Sequence, residues 1–400
     1  MLRGNELQLL QGSIDLFPAL VRAVDEAQRE VWLETYIFDF TGSSAEVAYA
    51  LERAARRGVS VRVLVDGFGT GHLPAAWRER LLAAGVECRV YAPLGWKGVF
   101  WPGNWRRLHR KLCVVDGAVA FCGGINILDD RYDPNHGRLE HPRLDFAVRV
   151  TGPLVDEALA AMSQLWQRMK AVQQLKHARL LGALESLRAV APGASLPQHA
   201  SQPQKSAPLS RAALVLRDNL RNRSSIERVY RRAIGRARTE VIIANAYFVP
   251  GRKMRNALIF AASRGVKVQL LMQGRYEYFL QYYGARPVYG ALLRAGVEIY
   301  EYSPSFLHAK VAVVDGRWAT VGSSNLDPLS LLLAREANLV VECLAFAQEL
   351  RARLVQAIRE EGRALDPAAY ERRPLAQRAR ERLALIVMRL ALALQGHKYL

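Results

Sequence analysis

Lysine is scarce. Nine lysines in 400 residues leave 47 of the 56 basic residues as arginine, so a lysine inside a motif is unusually informative. Cysteine is scarcer. Cys88, Cys113, Cys122 and Cys343 stand far apart or within apolar runs, and none has the close Cys or His spacing of a zinc site or a disulfide framework. That spacing excludes a disulfide framework and a finger-type zinc site, and it points to reduced core thiols in a cytoplasmic protein. No apolar leader follows Met1, and the longest apolar run of the tail, Leu383 to Leu394, spans 12 residues and includes Arg389. Neither a signal segment nor a membrane-crossing helix is expected. Acidic residues are also short, 37 against 56 basic ones, for a net charge of +19. Such a surface attracts polyanions, and charge alone leaves nucleic acid and anionic lipid headgroups both open.

The chain repeats itself. Ser13 to Glu30 has helical spacing and leads into Val31-Trp-Leu-Glu-Thr-Tyr-Ile-Phe38; Ser224 to Glu240 leads likewise into Val241-Ile-Ile-Ala-Asn-Ala-Tyr-Phe248. Arg57-Gly-Val-Ser-Val-Arg-Val-Leu-Val-Asp-Gly67 then matches Arg264-Gly-Val-Lys-Val-Gln-Leu-Leu-Met-Gln-Gly274, and Leu81–Val86 matches Leu292–Val297. Helices alternating with strands predict an α/β fold, and the repeat predicts two copies of one domain. The expected division is residues 1–170 for the first domain and 211–365 for the second. Residues 171–210 read as a basic helical and Pro/Ser/Gln-rich linker, and 366–400 as a basic amphipathic C-terminal helix.

Each copy carries H-x-K-x-x-x-x-D: His109, Lys111 and Asp116, then His308, Lys310 and Asp315. Two matches at equivalent repeat positions make coincidence remote. Side chains alternate along a strand, so each His and its Lys are expected on one face. An imidazole beside an ammonium suits a phosphate oxygen and chemistry at its phosphorus, and burying either charge unpaired is expensive. The aspartates complete the motif and stand among the catalytic candidates. Their offset of seven residues from the histidine nevertheless points them to the opposite face, and Asp-Gly after an apolar run reads as a tight turn without a direct catalytic role.

Downstream, Gly123-Gly-Ile-Asn126 and Gly322-Ser-Ser-Asn325 form small-residue turns that let Asn126 and Asn325 approach a phosphate. A working histidine needs a partner that fixes its tautomer. Asp145 and Glu336, at comparable places after the Asn turns, are the orienting candidates.

These residues resemble the phospholipase D superfamily, whose hallmark is this duplicated motif followed by Gly-Ser-x-Asn. The resemblance covers both halves. The first copy departs from it with Gly123-Gly124, so a serine hydroxyl contact is expected to be lost there. Leu33-Glu-Thr-Tyr-Ile-Phe38 and Leu108-His-Arg-Lys111 are similar to bacterial cardiolipin synthases without N-terminal transmembrane helices. The resemblance implies two homologous α/β/α sandwich domains with the active site between them. It also implies phosphatidyl transfer, with cardiolipin formed from phosphatidylglycerol through a covalent phosphohistidine. By analogy His109 is the nucleophile and His308 the acid and base, while both lysines and both asparagines steady the phosphoryl oxygens. No cofactor, no metal and no obligate protein partner are implied.

The substrate is a separate question, because the same superfamily contains nucleases. Val86 to His109 is 23 residues and Val297 to His308 is 11, so the first copy holds about twelve extra residues. They carry Trp96, Trp101 and Trp105 beside Lys97, Arg106 and Arg107. A Trp-rich basic loop at a site suits an anionic membrane interface, although it also suits stacked bases or a loop folded on its own domain. Tyr276, Tyr278, Phe279, Tyr282 and Tyr283 either line a lipid channel or belong to the core. The tail pairs arginines with an apolar series, the pattern of an interfacial anchor or of a helix packed on the domain. Together these favour lipid over nucleic acid. The expected partner is an anionic phospholipid membrane, with phosphatidylglycerol as substrate, at the cytoplasmic face of the cell membrane.

Overall fold

The computed structural model describes residues 1–93, 106–133, 136–176, 210–218, 222–276, 279–327 and 334–393. Trp96, Trp101, Trp105, Tyr278 and most of the expected linker lie outside these residues.

Strands with both faces covered need apolar side chains in both directions, and the repeat supplies them. Trp32 and Leu64 face one core while Val31, Leu33 and Val63 face another; in the second repeat Ile242 and Ala244 alternate with Val241 and Ile243 in the same way. The result is one continuous 16-stranded sheet. From its centre outward the first repeat runs Leu2–Gln11, Phe146–Thr151, Val119–Gly123, Leu112–Val115, Glu30–Thr35, Ser60–Asp66 and Glu87–Tyr91. The second runs in the same order: Ser210–Arg217, Ala334–Glu342, Trp318–Gly322, Lys310–Val314, Glu240–Asn245, Lys267–Gln273 and Glu298–Tyr302, with Gly362–Ala364 added at its edge. The two first strands pair antiparallel, Leu2 with Ala212 and Asn5 with Ser210, and this joins the repeats.

Helices cover both faces, giving the α/β/α layers. Helices Gly12–Glu26 and Ala45–Arg56 close a core private to the first repeat, and Ser225–Arg236, Arg252–Ser263 and Phe279–Arg294 close one private to the second. On the opposite face, Leu154–Lys176 and Leu344–Glu361 lie over a single core to which both repeats contribute. The first of these two helices continues through position 170, where the sequence suggested a boundary. The shared core and the continuous sheet hold the two halves in a fixed relation, which a site divided between them requires.

Cys113 and Cys122 are buried, Cys88 and Cys343 are partly so, and all four are free thiols. Burial pushes the Cys88 thiol up to about 11 and Cys122 to about 12. No helix among the described residues is long and apolar enough to cross a membrane.

Candidate active site

The histidine segments cross the boundary between repeats. Arg107-Leu108 leaves its own repeat and pairs parallel with Ala334-Arg335 of the other, and the His109 N–H donates to the Arg335 carbonyl at 3.0 Å. Leu307 mirrors this by bridging to Leu144, with the His308 N–H on the Leu144 carbonyl at 2.9 Å. Each histidine therefore lies beside the strand of the opposite repeat that bears a carboxylate. The expected uninterrupted His-x-Lys strand is absent: the ladder breaks after Leu108 and resumes at Leu112, and in the second repeat at Lys310. Crossing to the other repeat is the reason for the break.

This crossing produces two reciprocal pairs. His109 Nδ1 lies 3.1 Å from Glu336 Oε2 and 3.1 Å from the Ser323 carbonyl. Both neighbours accept, so Nδ1 carries the proton and Nε2 presents its lone pair. His308 Nδ1 lies 2.6 Å from Asp145 Oδ2, and Asp145 Oδ1 accepts the Phe146 N–H at 2.8 Å. Glu336 is fully buried, and Asp145 nearly so.

Burial dominates the electrostatics. It lowers His109 despite the opposing pull of Glu336, and with Lys310, Lys111 and His109 itself it drives His308 well below the ordinary imidazole range. Cations of both repeats thus act on each histidine, Lys111 and Lys310 on His109 and on His308 alike. Burial raises Asp145 to about 7 against the opposing charges of Lys310 and Lys111. At Glu336 burial also acts upward, yet His109, Lys111 and the Ser323 hydroxyl hold the carboxyl below its usual value. Lys111 is pushed down to about 7 by burial and by Lys310, against Glu336 and Asp145.

The lysines are buried beside the histidines. Lys111 Nζ donates to the His109 carbonyl at 2.8 Å, and Lys310 Nζ donates to the His308 carbonyl. Asn126 is buried with its Oδ1 accepting the Ile37 N–H at 3.3 Å, which leaves its amide NH₂ as the donor end. Asn325 is buried too, and its Oδ1 has no protein partner among the described residues. Glu336 Oε1 and Asn245 Nδ2 are in the same condition. Buried polar atoms left open around a site are natural contacts for a polar ligand or its water.

Asp116 and Asp315 lie elsewhere. Five residues of strand at about 3.3 Å each put Asp116 roughly 16 Å from Lys111. There its carboxylate accepts the N–H groups of Gln28, Arg29 and Glu30 at 2.8, 2.8 and 2.9 Å. Asp315 likewise takes Arg238, Thr239 and Glu240 at 3.0, 2.9 and 3.0 Å. Both stand at positive φ, 52° and 50°. Their place among the catalytic candidates is corrected: they pin the turn after each lysine strand to the start of its neighbour, and the strand's length keeps them from the phosphorus.

Two features were missed from sequence, and a third was read in part. The Gly-Ser turn was expected to supply a serine hydroxyl contact, but not its partner: the Ser323 hydroxyl donates to Glu336 Oε2 at 2.5 Å. Asp66, wholly buried, accepts the Leu108 N–H at 2.7 Å, while Gln273 Oε1 accepts the Leu307 N–H at 3.0 Å. The repeat carried this signal, because both residues close the second matched strand just before a glycine. Tyr36 stands against His109 with ring centroids 4.9 Å apart, and Lys111 Nζ lies 5.3 Å from its ring centre. Its counterpart is Ala246, so repetition offered no hint.

Two crossed histidine–carboxylate pairs and two buried lysines, all on facing segments of a duplicated α/β/α fold, make a candidate site with the groups that a two-histidine phosphoryl transfer needs. The comparisons with known proteins agree. The family described as "Cardiolipin synthase, PLD-like domain" matches residues 20–138 and 230–358. Cardiolipin synthase B of Escherichia coli K12 is 38% identical over 356 residues, covering 87% of this chain and 79% of its own. Cardiolipin synthase A of Salmonella arizonae is 30% identical, covering 95% of this chain and 74% of its own. Among solved structures, the phosphatidylserine synthase of Haemophilus influenzae Rd KW20 superposes with a TM-score of 0.69 at 14% identity, over 98% of this chain and 95% of that one, and so shares the fold. The chain belongs to the cardiolipin synthase, phospholipase D-like family.

Proposed function

We propose that this protein is a phosphatidyl transferase that forms cardiolipin from two molecules of phosphatidylglycerol and releases glycerol. The observation that carries the reading is the crossed pairing of His109 with Glu336 and His308 with Asp145, which sets two imidazoles from different repeats on one site.

The chemistry follows from the hydrogen bonds. His109, with Nδ1–H donated to a carboxylate held ionised, attacks phosphorus through Nε2. A P–N bond forms, the P–O bond to glycerol breaks, and protonated His308 gives the leaving oxygen its proton. Neutral His308 then takes the proton from a hydroxyl of the second phosphatidylglycerol; its oxygen attacks phosphorus and the P–N bond breaks. Only phosphorus bonds and one proton change hands, so no cofactor enters the balance. Lys111, Lys310, Asn126 and Asn325 supply donors for the phosphoryl oxygens. The cationic field that lowers His308 in the free protein is opposed by the phosphodiester's own negative charge. Substrate entry therefore raises His308 and prepares the acid.

We assign the working partner as an anionic phospholipid membrane and the location as its cytoplasmic face, with the protein peripheral. The +19 charge and the unpaired thiols support this. Labelled phosphatidylglycerol vesicles test the function. Cardiolipin plus glycerol is the expected result. Phosphatidic acid alone would identify a hydrolase, and cleavage of single-stranded DNA with lipid untouched would identify a nuclease.

A further inference from the structure

The 19-residue helix Leu375–Ala393 packs antiparallel on helix Phe279–Arg294. Gly284 provides the close approach, since a side chain there would press on Met388, and Gly290 faces Tyr370 further along. Glu381, Ala384 and Met388 form the buried side of the tail helix.

Ala384 and Met388 are the apolar residues buried on that side, and further apolar side chains lie elsewhere on the helix. At about 100° per residue, Leu383, Ile386, Val387 and Leu390 fall together on the opposite side. They are 56%, 50%, 41% and 59% exposed. Arg378, Arg382 and Arg389 run along one flank of this stripe and Arg380 lies on the other. A solvated apolar stripe bordered by cations is the pattern of a helix lying in a membrane interface.

A cavity adjoins the arginine flank. It has a volume of about 450 Å³ and is lined by Arg294, Arg373, Arg378 and Arg382, with Glu371 and Glu381 the acidic residues on its wall. Arg294 pairs with Glu371 at 3.2 Å and Arg373 with Glu381 at 3.3 Å. The charges cancel within each pair, and among the described residues Arg378 and Arg382 have no ion-pair partner, so their charge remains for an anion. The cavity shares no lining residue with the histidine site.

The antiparallel packing also sets the direction of this face. Leu390 is near the start of helix Phe279–Arg294, where Tyr276 and Phe279 are 52% and 43% exposed. Those aromatics follow Gln273, whose side chain holds the residue before His308. The apolar end of the tail helix and the exposed Tyr276 and Phe279 thus share the end of the second repeat from which Gln273 reaches the histidine segment.

The geometry points to a membrane-docking face: the Leu383–Ile386–Leu390 stripe enters an anionic bilayer, and the Arg378–Arg382 cavity receives a phospholipid phosphate outside the catalytic cleft. The choice of phosphatidylglycerol as that lipid rests on the phosphatidyl-transfer reading; the docking itself does not.

The test uses the full chain and two variants, one with Leu383→Ser, Ile386→Ser and Leu390→Ser, the other with Arg378→Ala and Arg382→Ala. Co-sedimentation is measured with phosphatidylcholine vesicles with and without phosphatidylglycerol, and turnover is measured on short-chain phosphatidylglycerol dispersed as monomers. Both variants should lose vesicle affinity by roughly tenfold or more while turning over monomers within about twofold of the unaltered chain. Leu344→Ser, equally exposed but on a helix covering the other face of the sheet, should bind vesicles like the unaltered chain. Undiminished binding by the triple serine variant, or equal binding of the unaltered chain to vesicles lacking phosphatidylglycerol, would overturn the proposal. Absence of turnover on monomers by the unaltered chain would instead defeat the catalytic reading and leave the vesicle result to decide docking.

Discussion

The two halves of the site carry the same chemistry on different supports. In one, His109 is held by Glu336, which also takes the Ser323 hydroxyl at 2.5 Å. In the other, His308 is held by the shorter Asp145, and the position equivalent to Ser323 is Gly124. The glycine is required there: a Cβ would run into the Asp145 carboxylate. The expected loss of a serine contact in the first copy is thus part of an exchange, a short acid with a glycine against a long acid with a serine. Behind the histidines the halves diverge further. Arg110 and Glu34 form a buried ion pair at 2.7 Å where the second repeat has Ala309 and Ala244. The histidines, lysines and asparagines proposed to act on phosphate are the same in both repeats, and the groups that position the histidines differ between them in matched pairs.

Several variants would break or sharpen that comparison. The largest effect is expected for the histidines, where alanine at either position should cost at least about a thousandfold in kcat. Their roles separate in a trapping experiment with labelled phosphatidylglycerol: His308→Asn should accumulate a phosphoprotein and His109→Asn should not. The opposite outcome would reverse the assignment.

Next come the carboxylates. Asp145→Asn and Glu336→Gln should each lower kcat by roughly a hundredfold, because the amide no longer favours the working tautomer or stabilises the imidazolium. The exchange itself is tested by Gly124→Ser against Ser323→Gly. The first forces Asp145 away from His308 and should cost more than about tenfold, whereas the second removes one charge-assisted hydrogen bond and should cost about tenfold or less. Equal losses would remove the compensation argument.

The pH profile distinguishes Asp145 from Lys111. Asp145, raised to about 7, loses its charge as pH falls through that value; Lys111, lowered to about 7, loses its charge as pH rises through it. Dependence of kcat/KM should therefore be a narrow bell near neutrality. Lys111→Arg, cationic throughout, should abolish the alkaline limb of the remaining activity. A broad plateau in the unaltered chain would exclude this account.

The smallest catalytic effect belongs to the motif aspartates. Asp116→Ala should reduce the unfolding free energy by about 1–3 kcal/mol, since three backbone N–H groups lose their acceptor. Denaturant titration measures this, and kcat should change by no more than about twofold.

Much of this was legible in the residues. Matching apolar segments disclosed the duplicated α/β fold, because strands buried on both faces need a continuous apolar run. His109, Lys111, His308 and Lys310 were legible because charged groups on such a run are costly without a purpose. Asp145 and Glu336 were found from their matched places, but the histidine each one serves was not, since each serves the opposite repeat. Tyr36 was not legible, because neither spacing nor repetition marks a ring that reaches its partner through space.

The sequence by itself determined the strands, the repeat and the reactive groups, because these follow from local periodicity and from the expense of burying charge. Only the tertiary structure decided that Leu108 pairs with Arg335 and Leu307 with Leu144, and so that each imidazole takes its carboxylate from the other half. That choice belongs to the shared core and the continuous sheet, which set the distance between halves, and no stretch of a single repeat contains it.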